Sequence, residues 1–82
     1  MAVEIVMPTL ELAQESAILV RWMKNEGDYV TKGEMLMEIE TDKVTVEIES
    51  PGTGVLSQVS AQAGDKVPVG RVMAVLVESG SV

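Results

Sequence analysis

The sequence contains no cysteine, no histidine and no phenylalanine, and its aromatic residues are Trp22 and Tyr29. Without cysteine there is no disulfide framework, no thiolate nucleophile and no Cys-based metal site. Without histidine the commonest general base is missing. Cations are scarce too: six Lys and Arg against thirteen Asp and Glu leave a formal charge of −7. Phosphate backbones and anionic bilayers are bound by clustered Lys and Arg, so neither nucleic acid nor membrane is an expected partner. Long apolar runs are absent, and Met1-Ala2-Val3-Glu4 opens without a basic segment. The start therefore reads as neither a signal peptide nor a spanning helix, and an intracellular protein is expected. The acidic residues lack the spacing of a Ca²⁺ loop and the second catalytic group of a glycosidase, so no metal is assigned.

What the chain does have is valine, fourteen in 82 residues. A chain of this size makes one domain that buries only about 60% of its unfolded surface, and valine at this density favours strands. Alternation supports this. Met35, Met37 and Ile39 are expected to face one way, with Leu36, Glu38 and Glu40 opposite, and Val44, Val46 and Ile48 alternate with Thr45, Glu47 and Glu49. Between Ile39 and Val44 lie Glu40, Thr41, Asp42 and Lys43, which suit a tight hairpin turn built on a type I bend.

Further strands are expected at Ala2 to Val6, about Ala17 to Trp22, Val55 to Val59 and Val72 to Val77, with short extended pieces near Tyr29 and Val67. Periodicity alone leaves Ala13 to Lys24 open between helix and strand. An internal repeat favours strand. A shift of 37 residues lays Gly27-Asp28-Tyr29-Val30-Thr31-Lys32-Gly33 over Gly64-Asp65-Lys66-Val67-Pro68-Val69-Gly70, and pairs Ile18 with Val55, Leu19 with Leu56 and Trp22 with Val59. The second copy, with Gly52 and Gly54, is a poor helix, so the first is read as a strand as well. Ile5-Val6-Met7-Pro8 resembles the segment ending at Pro51 at a shift of 43, which makes Thr9 to Gln14 a six-residue surface insertion.

Two similar halves of about four strands predict an all-β fold: a flattened eight-stranded barrel or sandwich of two four-stranded sheets related by a pseudo-two-fold, each half supplying one sheet to the common core. Both Gly-Asp motifs fit tight turns, with Asp bonding its own downstream backbone. Leu19, Trp22, Val59 and Met73 are expected in the core, methionine fills gaps left by the absence of phenylalanine, and Tyr29 is expected partly buried. The repeat also isolates a difference. The first half runs through Thr41-Asp42-Lys43 into another strand, whereas the second ends at Glu78-Ser79-Gly80. The chain ends should then lie opposite the Lys43 turn. By itself a turn lysine is most often merely solvated.

Glu40-Thr41-Asp42-Lys43-Val44, with the two Gly-Asp turns, Met7-Pro8 and the Pro51-x-x-Gly54 step, resembles the lipoyl domain of the acyltransferase (E2) component of 2-oxo acid dehydrogenase complexes over essentially the whole chain. The resemblance implies an eight-stranded flattened barrel whose turn lysine, here Lys43, carries lipoic acid as an amide, with Asp42 and Val44 shaping the turn. It implies residues 1–78 as the domain, and the small polar tail Glu78-Ser79-Gly80-Ser81-Val82 is expected to begin a flexible linker over 79–82. It further implies a carrier with no catalysis of its own, in a chain expected to be a dihydrolipoyl acyltransferase. A thiamine-diphosphate-dependent decarboxylase (E1) reductively acylates the carrier, an acyltransferase core passes the acyl group to coenzyme A, and dihydrolipoyl dehydrogenase (E3) reoxidises it. A lipoate ligase or lipoyl transferase attaches the group. The isolated domain is expected to be monomeric, in the bacterial cytoplasm or, second choice, the mitochondrial matrix.

Asp42 is expected to fix the turn through side-chain-to-backbone bonds, and Val44 to plug the hairpin into the core. Glu38, Glu40, Asp42, Glu47 and Glu49 are either solvated strand faces that discourage edge pairing or an electronegative collar matched to basic partner enzymes. The resemblance places the loop carrying Leu10, Glu11 and Leu12 beside the lysine and, with Glu40, Thr41 and Asp42, in partner recognition. Three alternatives stay open. A biotin carrier has methionines flanking its lysine, where this chain has Asp42 and Val44. A glycine-cleavage carrier is longer, with extra helices. An unmodified acidic β module would have the same sequence.

Overall fold

Valine-rich alternation is realised as eight short strands. The computed structural model describes residues 2–78, with β1 (Ala2–Val6), β2 (Ser16–Trp22), β3 (Tyr29–Val30), β4 (Met35–Glu40), β5 (Thr45–Glu49), β6 (Gly54–Ser57), β7 (Lys66–Pro68) and β8 (Val72–Val77). All pairings are antiparallel, in two sheets ordered β1-β8-β6-β3 and β5-β4-β2-β7. The sheets stack as a sandwich and do not close into a barrel. The ambiguous segment before Lys24 is the strand β2, while β6 stops at Ser57 rather than Val59. The expected linker at 79–82 lies outside the described residues.

The duplication is structural, but the halves do not each supply one sheet. Each sheet takes two strands from either half, and the reason is visible in the Gly-Asp turns. Gly27 N–H donates to Leu56 O at 2.7 Å, and Leu56 N–H to Asp28 O at 2.9 Å. Shifted by 37 residues, Gly64 N–H donates to Leu19 O at 2.7 Å, and Leu19 N–H to Asp65 O at 2.9 Å. The turn of each half clasps a strand of the other, so the halves interleave. Gly27 and Gly64 have φ of 98° and 95°, a region an L side chain enters only at a cost. The two aspartates bond upstream, not downstream: Asp28 accepts from Asn25 N–H at 2.8 Å and Asp65 from Gln62 N–H at 2.9 Å.

Among the described residues fourteen hydrophobic ones form the core, including Ile5, Leu19, Ile39, Leu56 and Leu76. Met7, Met37 and Met73 fill it as expected. Met35 is exposed and Leu36 fully buried, the reverse of the alternation. The cause is a bulge: Met35 pairs with Glu49 and Met37 with Ile48, leaving Leu36 as the extra residue turned inward. Met73 is its repeat counterpart, the extra residue where β8 slips against Ile5 and Val6. Trp22 and Val59 are partly buried against the core, and Trp22 Nε1 donates to Ala61 O at 2.9 Å. Tyr29 is exposed because it occupies the outward position of a two-residue edge strand whose inward position is Val30.

β4 carries the chain from root to tip of a hairpin arm. At the root, Gly33 N–H donates to Ser50 O and Ser50 N–H to Glu34 O, and Gly52 lies against Val3. Ala2 pairs with Val77 in the same region, so the described chain ends sit at the root, opposite the Lys43 turn. Glu34 accepts from Thr31 N–H at 2.7 Å and from Lys24 Nζ at 3.2 Å, and these bonds, the backbone one first, lower its carboxyl pKa from the usual glutamate range. A folded-state pKa that is lowered stabilises the fold above the unfolded value and is lost as pH falls through the folded one. Glu34→Gln is therefore expected to shrink the difference in melting temperature between neutral pH and a pH below 4, and an unchanged acid limb would contradict it.

Candidate functional site

Glu40 and Thr45 form the last pair of the β4–β5 ladder. Beyond it Thr41 N–H donates to Val44 O at 2.8 Å, leaving Asp42 and Lys43 as the tip, so the turn sits one residue later than the sequence implied. Neither tip residue has positive φ, which excludes the primed hairpin turns and agrees with a type I bend. Thr41 Oγ1 accepts from the N–H groups of both Lys43 and Val44 at 3.3 Å and donates to Val44 O at 3.4 Å. Among the described residues these are the side-chain bonds that close the turn. The hydroxyl of Thr41, and not the Asp42 carboxylate, holds it, because a side chain one place earlier reaches both N–H groups as a cap does.

Val44 is 46% exposed and does not plug the core. It contributes its backbone N–H and carbonyl to the turn, while fully buried Ile39, paired with Val46, is where the arm enters the core. Thr41→Val is expected to cost about 0.5–1 kcal/mol and to lower the amide order parameters of Lys43 and Val44 by NMR relaxation. Thr41→Ser should restore them, and equal rigidity in all three proteins would show that the hydroxyl is dispensable.

Lys43 is exposed. The ion pairs among the described residues are Arg21–Glu38 at 2.9 Å and Lys24–Glu34 at 3.2 Å, so no carboxylate there engages the Lys43 amine. Beside the tip the inserted loop folds around Gln14. Gln14 Oε1 accepts from Leu10 N–H at 2.7 Å and from Glu11 N–H at 3.1 Å, and Gln14 Nε2 donates to Pro8 O at 3.2 Å. A cleft of about 480 Å³ separates loop from turn, and Glu11, Leu12, Thr41, Asp42, Lys43 and Lys66 are among its walls. Leu12 is fully exposed and Leu10 is 38% exposed. Lys66 was missed in the sequence, since only the β2–β7 pairing brings it here. Gln14 gave no signal at all within a loop of mixed polarity.

The acidic residues gather on the outer face of the arm. Glu38, which is half-buried, and Glu47 stand directly opposite each other, and Glu40, Asp42, Glu47 and Glu49 are exposed. Arg21 Nε donates to Glu38 Oε1 at 2.9 Å, which relieves the one facing pair of like charges. Both sequence readings of these acids are compatible with that arrangement. The chemistry available at the tip is that of one exposed primary amine on a turn held by Thr41.

A family profile described as biotin-requiring enzyme matches residues 3–76. The chain is 44% identical over 81 residues to the dihydrolipoyllysine-residue acetyltransferase component of the pyruvate dehydrogenase complex of Rickettsia typhi, covering 98% of this chain and 20% of that protein. It is 41% identical over 75 residues to the succinyltransferase component of the 2-oxoglutarate dehydrogenase complex of Bacillus subtilis, covering 92% and 18%. It is also 43% identical over 81 residues to the pyruvate dehydrogenase E1 component subunit beta of Rhizobium meliloti, covering 98% and 18%. The chain thus spans about a fifth of the length of these relatives. Among solved structures, the lipoyl domain of the 2-oxoglutarate dehydrogenase complex of Azotobacter vinelandii, determined in solution, superposes with a TM-score of 0.79 at 31% identity, covering 95% of this chain and 99% of that one.

Proposed function

The chain belongs to the biotinyl/lipoyl-attachment family and is a lipoyl domain within it, and on that premise we propose that Lys43 is its lipoyl attachment site within a domain of residues 1–78. The observation that carries the reading is the placement of Lys43: an exposed amine without an ion-pair partner among the described residues, at the tip of a hairpin and at the far end from Ala2 and Val77. Such an amine suits amide formation with a carboxylic acid that another enzyme has activated, since the tip lies free of the fold and the turn is held by Thr41. Lipoic acid bound there would supply a disulfide that accepts an acyl group on reduction and is later reoxidised.

The chain's own contribution is mechanical. Thr41 keeps the turn in one conformation, Ile39 anchors the arm, and the loop around Gln14 walls one side of the stem. Tethering then raises the local concentration of the arm at successive active sites. The partners proposed for this carrier are a thiamine-diphosphate-dependent 2-oxo acid decarboxylase, dihydrolipoyl dehydrogenase, a lipoate ligase or lipoyl transferase, and an acyltransferase core on the same chain, in the bacterial cytoplasm. Asp42, Glu40, Thr41 and the loop residues Leu10, Glu11 and Leu12 are proposed to meet the decarboxylase. One observation favours a second parent: the Rhizobium meliloti relative that contains a segment like this chain is named as an E1 beta subunit.

The test is reductive acylation of the lipoylated domain by purified decarboxylases specific for pyruvate, 2-oxoglutarate and branched-chain oxo acids. One of them is expected to acylate it far faster than the others. Failure to be acylated by any would reject the carrier reading.

A further inference from the structure

The two open sides of the sandwich are unequal. On the side of β3 and β7, Trp22 Nε1 of β2 donates to Ala61 O beyond β6 in the other sheet at 2.9 Å, and Gln58 N–H donates to Glu26 Oε2 at 3.1 Å. The edge strand there, Lys66–Pro68, is three residues long and contains a proline, which blunts pairing. On the opposite side the edge strands β1 and β5 leave an apolar groove of about 240 Å³. Its floor is buried Ile5, Leu36 and Met37, Ile48 forms a wall, and the charged residues on its lining are Glu4 and Glu49. Pro8 and Pro51 also line it. They follow β1 and β5, which run in opposite directions, and so bound the groove at tip and root.

We propose that this groove docks an extended segment of a partner protein in which aliphatic residues alternate with lysine or arginine, added as a strand beside β5. As an edge strand, β5 turns the N–H and C=O of alternate residues away from β4. A strand laid along it directs every second side chain into the groove and the others beside Glu47 and Glu49, where opposite charge stabilises cross-strand neighbours. The volume is below the usual range for a small-molecule site of roughly 300–1,000 Å³, and it suits one or two aliphatic side chains. A second copy of the chain is a poor occupant, because Glu47 and Glu49 would face their own counterparts between bodies of charge −7. β1 and β5 are each five residues long, so the docked strand spans about 17 Å. The proposal does not depend on Lys43 or its modification.

The test uses the ¹⁵N-labelled 82-residue chain, since the matching Azotobacter domain folds alone in solution. Titration with acetyl-Lys-Leu-Lys-Leu-Lys-amide is expected to shift amide resonances of β1, β5, Leu36 and Met37, with the Glu-Leu and Lys-Ser analogues of the peptide failing to do so. The double variant Glu47→Lys, Glu49→Lys, whose replaced side chains are exposed, is expected to fold and to bind about tenfold more weakly, and Lys43→Arg to bind unchanged. Equal binding of the Lys-Ser peptide, shifts centred on Glu38 and Glu40, or indifference to the double variant would each overturn the groove as the site.

Discussion

Lys43→Arg is expected to abolish lipoylation completely while leaving the fold intact. Intact mass of the parent protein from a lipoate-replete host should show one added lipoyl group, and the variant none. Arginine keeps the charge and most of the stem but offers no amine that forms this amide, so loss of modification cannot be ascribed to a change in the acidic surroundings. The other lysines differ in kind. Lys24 is paired with Glu34 at 3.2 Å, Lys66 lies within β7, and Lys32 sits in a loop whose backbone is tied to Thr53 at 2.9 Å. Because Lys43 makes no side-chain bond among the described residues, the melting temperature should hardly move, as for surface substitutions that cost under about 0.5 kcal/mol. A lipoyl group persisting in Lys43→Arg would locate the modification elsewhere and remove the basis of the proposed function.

Gly54→Ala should be the most damaging alanine substitution among the described glycines. A Cβ at Gly54 would stand 2.7 Å from the Val77 carbonyl oxygen and 3.0 Å from its carbonyl carbon. Both are backbone atoms of the strand to which β6 is paired, so relief requires β6 and β8 to separate. Such overpacking costs roughly 2–4 kcal/mol, against a total stability of about 4–12 kcal/mol for a domain of this length. The melting temperature is expected to fall by about 10–25 °C. Gly27→Ala is the control: open space surrounds it, but its φ of 98° makes the substitution unfavourable by about 1–2 kcal/mol. If Gly54→Ala melted no lower than Gly27→Ala, the close approach of β6 and β8 would be refuted.

The sequence disclosed most where a physical rule acts locally. β1 and β8 carry the predicted limits because Pro8 follows the one closely and the turn at Gly70 precedes the other, although the bulge at Met73 breaks alternation where they meet. The repeat identified β2 as a strand because Leu19 and Leu56 occupy equivalent buried positions. Three features were hidden. The bulge at Leu36 inverts the facing of Met35, and nothing in Met-Leu-Met announces an extra residue. The interleaving of the halves depends on Gly27 meeting Leu56 and Gly64 meeting Leu19, contacts between segments far apart in the chain. At the tip, Asp42 drew attention as a turn former, yet Thr41 is one place better positioned to reach both N–H groups. Lys43 itself was legible as a turn lysine from spacing alone, and its chemical role only through resemblance.

The interleaving has a bearing on biosynthesis. In its sheet β1 pairs with β8 alone, so Ala2 to Val6 finds no partner until Val72 to Val77 has left the ribosome. Neither repeat can assemble a core before the other is made: the β4–β5 hairpin closes locally, but the pairs β1–β8, β2–β7 and β3–β6 between halves wait on longer loop closures, which slows folding. A net charge of −7 makes copies of the strand-rich polypeptide repel one another, which opposes their association during that delay.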